Sequence, residues 1–162
     1  MNVILYPDPS NPAPSRVQVV YPANDTLEEY AFKYLDPYGI EYVIVDQSTL
    51  PNAGQICNYL LVEIVSGSPV FSYDVAGAKD YATSYNSIYW QTQYDQGILG
   101  LSIDNSYQLN LAIATPENER TADQIAAVEF MAGTNQLQMD VQAQIDAATT
   151  GEEIIAILNQ LG

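Results

Sequence analysis

Histidine is absent from this chain, which removes the commonest general base and metal ligand. Every His-dependent catalytic triad is excluded with it. There is one cysteine, Cys57, so neither an internal disulfide nor a thiolate zinc or iron–sulfur site can form. Cys57 lies between Ile56 and the Tyr59-Leu-Leu-Val run, where the habit of free cysteines predicts a buried, inert side chain. Positive charge is also scarce. Arg16, Lys33, Lys79 and Arg120 are the 4 bases, set against 20 acids, for a net charge of −16. That balance repels phosphate backbones and anionic membrane surfaces, so neither nucleic acid nor membrane is an expected partner. The glycines form neither a Walker-type phosphate loop nor a dinucleotide fingerprint. No apolar run is long enough to span a bilayer, and no basic segment followed by an apolar stretch opens the chain. The expected location is therefore a cytoplasm.

Carboxylates are the chemistry that remains. With 20 acids some pair must fall at a glycosidase-like separation, so such a pair carries little information. The adjacent pairs Glu28-Glu29 and Glu152-Glu153 sit in first turns of predicted helices, where the helix dipole favours negative charge. Glu117 and Glu119 follow Pro116 in the same kind of setting. No EF-hand calcium loop is present. The expectation is no catalytic residue, no metal and no cofactor.

Apolar residues make up 48% of the 162, enough for a core, and 13 tyrosines suit both half-wet cores and interfaces. Asn2–Tyr6 reads as a strand closed by Pro7, and a proline-rich loop follows. Alternation over Arg16–Tyr21 predicts a second strand, Glu41–Asp46 a third, and Tyr59–Val65 another candidate. Between them Asn24–Leu35 has helical spacing. Asp25 is the expected N-cap, and Leu27, Tyr30, Ala31 and Tyr34 form the inner face. Ser66-Gly67-Ser68-Pro69 is the sharpest composition break and marks the expected module boundary.

Beyond it the period changes. A helix is predicted from Asp74 to about Tyr94, with Val75, Ala78, Ala82, Tyr85, Ile88 or Tyr89, and Thr92 as its stripe. Leu99, Leu101 and Ile103 alternate like a strand, whereas Tyr107–Ala114 fits a helix, so the pattern leaves residues 95–115 open. Thr121–Gln144 is helical, with Ile125, Val128, Ala132, Leu137, Val141 and Ile145 as core candidates. Thr150 with Glu153 then makes a capping box before a short amphipathic helix that carries Ile154, Ile155, Leu158 and Leu161. The predicted fold class is α+β. A small β-rich docking module of three to four strands and one helix (1–68) precedes a helical module with a capped terminal helix (69–162).

Tyr85-Asn-Ser-Ile-Tyr89-Trp90 is the densest aromatic cluster. On a helix Trp90 lies about 100° from Tyr89, so both cannot share one narrow stripe. Tyr85, Tyr89 and Trp90, with Ile154, Leu158 and Leu161, are the candidate partner contacts.

Four segments also carry a resemblance. They are Asn2-Val-Ile-Leu-Tyr-Pro, Val19-Val-Tyr-Pro before Thr26-Leu-Glu-Glu-Tyr-Ala, Tyr42-Val-Ile-Val-Asp-Gln-Ser-Thr-Leu-Pro51, and Leu137-Gln-Met-Asp-Val through Ile145-Asp-Ala-Ala-Thr-Thr-Gly-Glu-Glu-Ile154. Together these resemble small tailed-phage proteins of a type encoded beside tail-fibre genes. The likeness covers about the first fifty and last thirty residues. The middle departs from it, because that family is commonly rich in Lys and Arg along its long helix. The resemblance implies a chaperone-like tail-fibre assembly protein with no enzymatic residues. It would act by contact with a tail-fibre or baseplate protein, or with a second copy of itself, in the host cytoplasm during assembly or in the virion tail. Alternative readings are another structural virion component, such as a tail or baseplate adaptor or a head decoration, and a carboxylate-dependent glycan-cleaving tail protein.

Overall fold

The chain is α+β in a computed structural model that describes residues 1–100 and 106–162, with the side chains of 98–107 outside the description. It divides into two compact units. The first is Met1–Ala78 with Thr149–Ile155, and the second is Lys79–Ala148 with Ala156–Gly162.

The first unit is built on an antiparallel sheet of β1 (Asn2–Pro7), β2 (Ser15–Val20), β3 (Val43–Asp46), β4 (Leu60–Val65) and β5 (Ser68–Tyr73), in the order β3-β1-β2-β4-β5. The sheet thus has 5 strands, one more than the upper expectation. The added strand comes from the expected boundary itself. Ser66 (φ 52°) and Gly67 (φ 75°) form a two-residue hairpin turn, and β5 pairs with β4 from Leu60↔Tyr73 to Val65↔Ser68. Positive φ at both central residues is what a primed turn needs, and the twist of such a turn matches that of the flanking strands. The Ser-Gly-Ser-Pro break is therefore a turn within the first unit, which continues to Ala78.

β1 carries three of the buried core residues of this unit. Val3, Ile4 and Leu5 are all fully buried. Side chains alternate across a strand, so both faces of β1 are covered. Helix α1 (Leu27–Tyr34) covers the Ile4 face: Ala31 and Leu35 are buried against Ile4, and Leu27, Tyr30, Val20 and Tyr42 pack around them. Thr26 is the N-cap. Its hydroxyl accepts from the Glu29 N–H at 3.2 Å, and Glu29 Oε2 accepts from the Thr26 N–H at 2.9 Å. Asp25, the expected cap, is instead paired with Lys33 across 2.5 Å. The cap moved one residue because Thr-x-x-Glu closes both bonds of a capping box, whereas the Asp25 carboxylate reaches a cation one face away. Leu35 takes the inner position expected of Tyr34, which is 52% exposed.

The second unit is helical. Helix α2 (Val75–Gly100) begins in the first unit, where the Asp74 carboxylate caps it by accepting from the Gly77 N–H at 3.0 Å. Helices α3 (Ser106–Ala114) and α4 (Ala122–Ala147) follow, and α5 (Gly151–Leu161) ends the chain. The helical alternative for 107–114 is thus the observed one, and Leu99 lies in α2 rather than in a strand. The Leu101 and Ile103 part of that alternation lies outside the described residues.

Helices α2 and α4 run antiparallel. Lys79 Nζ donates to the Asp146 carbonyl at 2.7 Å, Gln142 Nε2 to Thr83 Oγ1 at 2.9 Å, and Asn86 Nδ2 to the Gln138 carbonyl at 3.1 Å. Farther along, Gly97 backs onto the Phe130 ring, which stacks on Tyr94 with centroids 6.4 Å apart. The buried residues of this seam are small or polar: Ala82, Asn86, Ala127 and Thr134, with Ile145 as its large aliphatic. Ile125 (38% exposed), Leu137 (51%) and Ala132, expected in the core, face outward. The expectation followed apolar spacing, but the seam is closed by amides and small side chains that such spacing does not register. Among the described residues no helix is long and apolar enough to cross a membrane.

Candidate functional site

The sequence-predicted contact residues separate into two groups. Ile154 is fully buried, and Leu158 and Leu161 are 1% and 6% exposed, so these three belong to the chain's own core and offer no surface to a partner. They are buried because α5 is fixed at its start. Thr150 Oγ1 accepts from the Glu153 N–H at 3.2 Å, while Glu153 Oε2 accepts from the N–H groups of Thr150 (3.1 Å) and Thr149 (2.6 Å). Those backbone donors hold the Glu153 carboxyl below its ordinary pKa. Gly151 sits against the Tyr73 ring, and a Cβ there would stand 2.7 Å from Cδ1 and nearer still to Cγ.

Tyr85, Tyr89 and Trp90 remain half-buried on α2. The Tyr85 hydroxyl donates to the Gly162 carbonyl at 2.8 Å, which gives that ring a structural task. Tyr89 and Trp90 meet edge to face at 5.2 Å. Trp90 lines a notch of about 230 Å³ with Gln91, Tyr94, Met131, Asn135 and Gln138. Its indole N–H is buried without a hydrogen-bond partner, as is Asn86 Oδ1 one turn earlier. The residue that lies outward on this stretch is Ile88, 68% exposed. At the position where the sequence left Ile88 or Tyr89 open, Tyr89 is the inner one.

Cys57, expected to be buried, is exposed. It follows the buried Ile56 in the 3₁₀ segment Gly54–Tyr59, where the backbone kinks at Ile56 itself (φ −102°, ψ 24°). Its neighbourhood is a groove of about 340 Å³ lined by Val17, Val19, Leu50, Pro51, Ala53 and Leu60.

Large apolar side chains are also exposed on each unit. On the helical unit Ile88, Met139 (65% exposed) and Leu137 present large aliphatic groups to solvent. On the first unit Phe32, Tyr34 and Tyr38 are exposed along α1 and the turn after it. A signal for the second existed: Phe32 falls off the Leu27, Tyr30, Ala31 stripe, and an apolar residue off the stripe of a surface helix has no place in the core.

Cation chemistry on these surfaces is sparse. The Arg120 guanidinium is spent at the C-terminus of α3, where Nε donates to the carbonyls of Ala112 (2.9 Å) and Thr115 (3.0 Å). That placement satisfies end carbonyls and suits the helix dipole. Lys79 does the same near the end of α4, and Lys33 pairs with Asp25. Three of the four bases are therefore engaged within the chain, while Glu28, Asp36, Glu41 and Glu152 stand exposed. Among the described residues no group of three or more Cys, Asp or Glu is placed to hold a metal ion. Comparison with protein-family models, with curated proteins and with solved structures finds no match to the chain.

Proposed function

We propose that this protein is an assembly component of a phage tail that works by protein–protein contact on a tail fibre. The observation that carries the contact reading is the large apolar side chains that the helical unit leaves in solvent: Ile88, Leu137 and Met139, each at least half exposed. Large apolar groups in solvent cost free energy that a partner's surface recovers, at about 25 cal/mol for each Å² covered. The likeness of both ends of the chain to tail-fibre-associated proteins supports the fibre as that partner. The protein would meet the fibre chain in the host cytoplasm and shield its apolar surface until the fibre trimerises, then leave or remain in the tail.

Co-expression with the neighbouring fibre gene tests this. The fibre should become soluble and trimeric when this chain is present, and the two should co-purify. An Ile88→Ser/Met139→Ser variant, altered at two solvent-facing positions, should fold normally and lose co-purification. A fibre that folds equally well alone, with no complex formed, would end the proposal. Mass spectrometry of purified virions then decides between release and retention.

A further inference from the structure

We propose that the free edge of β2, with the groove beside it, takes up an extended, uncharged segment of a protein partner as an added strand. This rests on the reading that the chain acts by protein contact, and it names how a partner is gripped. By strand order β2 lies between β1 and β4, yet its two sides are unequally used. Its pairing with β1 runs from Pro7↔Val17 to Ile4↔Val20. Its pairing with β4 covers Ser15↔Val62 and Arg16↔Leu61 and ends there among the described residues. The next partner in that register is Leu60, but the Leu60 N–H is turned back to the Cys57 carbonyl of the 3₁₀ segment. The ladder therefore stops at the start of β4. Residues 17–20 are left only half-buried in a strand that is central by order.

The direction of the unused groups follows from the register. The Asp8 N–H donates to the Arg16 carbonyl at 2.9 Å, so Arg16 and, by alternation, Gln18 and Val20 aim their backbone groups at β1. The N–H and C=O of Val19 aim the other way, beyond the last pair with β4. The groove of about 340 Å³ opens on that side, since Cys57 and Leu60 line it together with Val17 and Val19. An extended residue takes up about 160 Å³ at strand spacing, so the groove holds about two. What the site offers specifies the occupant. A donor and an acceptor on one strand residue are matched by the backbone of another extended chain. None of the lining residues is charged, so the side chain that enters must be apolar. The net charge of −16 repels an acidic segment before it arrives. The outer edges of the sheet are blunted against such pairing, because β3 has 4 residues and β5 carries Pro69. The inner edge at Val19 has neither device.

The test uses the full chain and a short capped peptide that alternates valine with serine and threonine. A control peptide carries N-methyl groups on its valines, which removes the backbone donors that would face Val19 and keeps the side chains. In ¹H–¹⁵N spectra the Val19 amide should shift and gain exchange protection with the first peptide and not with the control. Val19→Pro removes the outward N–H, keeps an apolar side chain and leaves the β1 ladder its donors. It should fold and weaken binding by about fivefold or more. Should that variant unfold, a bulky maleimide on the exposed Cys57 of the parent chain must block the peptide instead. Equal binding of the two peptides would mean that the groove takes side chains alone, and the proposal fails. It also fails if the shifts fall away from residues 15–20 and 50–60. Sedimentation without peptide tests the other occupant: a dimer that Val19→Pro dissociates would make a second copy the added strand and overturn a partner segment. Peptide binding without fibre co-purification would overturn the fibre as partner and leave this edge standing. Co-purification without peptide binding would do the reverse.

Discussion

Gly97 and Gly133 are both inside long helices, and the same substitution should move stability in opposite directions at the two. An interior helical glycine costs about 0.8–1.0 kcal/mol relative to alanine, so alanine is favoured wherever a methyl group fits. At Gly133 nothing lies within 4 Å of an added Cβ. Gly133→Ala should therefore stabilise the helical unit by about 0.5–1 kcal/mol. At Gly97 the added carbon would stand 2.5 Å from Phe130 Cε1, 2.7 Å from Cε2 and nearer still to Cζ. Carbon atoms prefer about 3.5–4.0 Å, so the ring must move by roughly an ångström or more. It has little room to do so, being stacked on Tyr94 and packed against the Leu109 and Ala127 cluster. Overpacking of this kind costs about 1–3 kcal/mol, which exceeds the propensity gain. Gly97→Ala should thus destabilise by about 1–2 kcal/mol, the balance of those two effects.

Trp90 makes the measurement selective, because the chain has one tryptophan and it lies on α2. Urea unfolding followed by its fluorescence reports the helical unit. The diagnostic quantity is the gap between the two variants, about 2 kcal/mol or more on the same two terms. Phe130→Ala supplies the internal control: with the ring removed, Gly97→Ala should become neutral or stabilising. If Gly97→Ala and Gly133→Ala shift the midpoint in the same direction by the same amount, the Phe130 ring does not lie against Gly97.

Glu153 is stabilised as a carboxylate by backbone donors, so its folded pKa lies below its unfolded value. Its contribution is present above the unfolded pKa and is lost as pH falls through the folded one. The stability advantage of the parent over Glu153→Gln should accordingly shrink between neutral pH and about pH 3. A pH-independent difference would show that the charge is not what caps α5. Asn86, 1% exposed, donates to Gln138 and Gln142 and leaves its own oxygen without a partner. Asn86→Asp removes those donors and buries a charge, so at neutral pH thermal unfolding should show a loss of about 2–4 kcal/mol, partly regained in acid. Cys57 should be modified stoichiometrically by a thiol reagent without denaturant, read by intact mass. Protection until unfolding would show it to be buried after all.

How far the sequence anticipated the structure depends on which signal each element used. β1, β2, β3 and β4 declared themselves through period-two patterning, and the α5 cap through Thr150 and Glu153, because those patterns arise from local geometry. β5 was hidden by its own turn. Ser66-Gly67 between two apolar runs is a hairpin signal, but Ser68 and Pro69 made the stretch resemble a linker. Three of the six candidate contact residues are buried for a related reason. Ile154, Leu158 and Leu161 are apolar and terminal, but a capped amphipathic helix is apolar on the side it buries. Phe32 lies off the Leu27, Tyr30 and Ala31 stripe, and that spacing is what marks it as outward.

The α2–α4 pair shows most clearly why outward positions can matter more than a hydrophobic pattern suggests. Among the buried residues of α2 and α4 are Ala82, Asn86, Ala127 and Thr134, so amide hydrogen bonds from Asn86, together with the Tyr94–Phe130 stack, carry part of the pairing. Buried amides of this kind fix register in paired helices at a cost in stability. Ordinary selection for stability would move the large aliphatics inward. Here Ile88, Leu137 and Met139 lie outside instead. The two facts have one explanation if the pair is built to keep a fixed register while presenting apolar side chains to something else. In that case Ile88→Ser and Met139→Ser should leave the isolated chain as stable as before, within about 0.5 kcal/mol, and act only when the partner is present. A large loss of stability in the isolated chain would instead mean that these side chains support their own unit, and the contact reading would lose its main support.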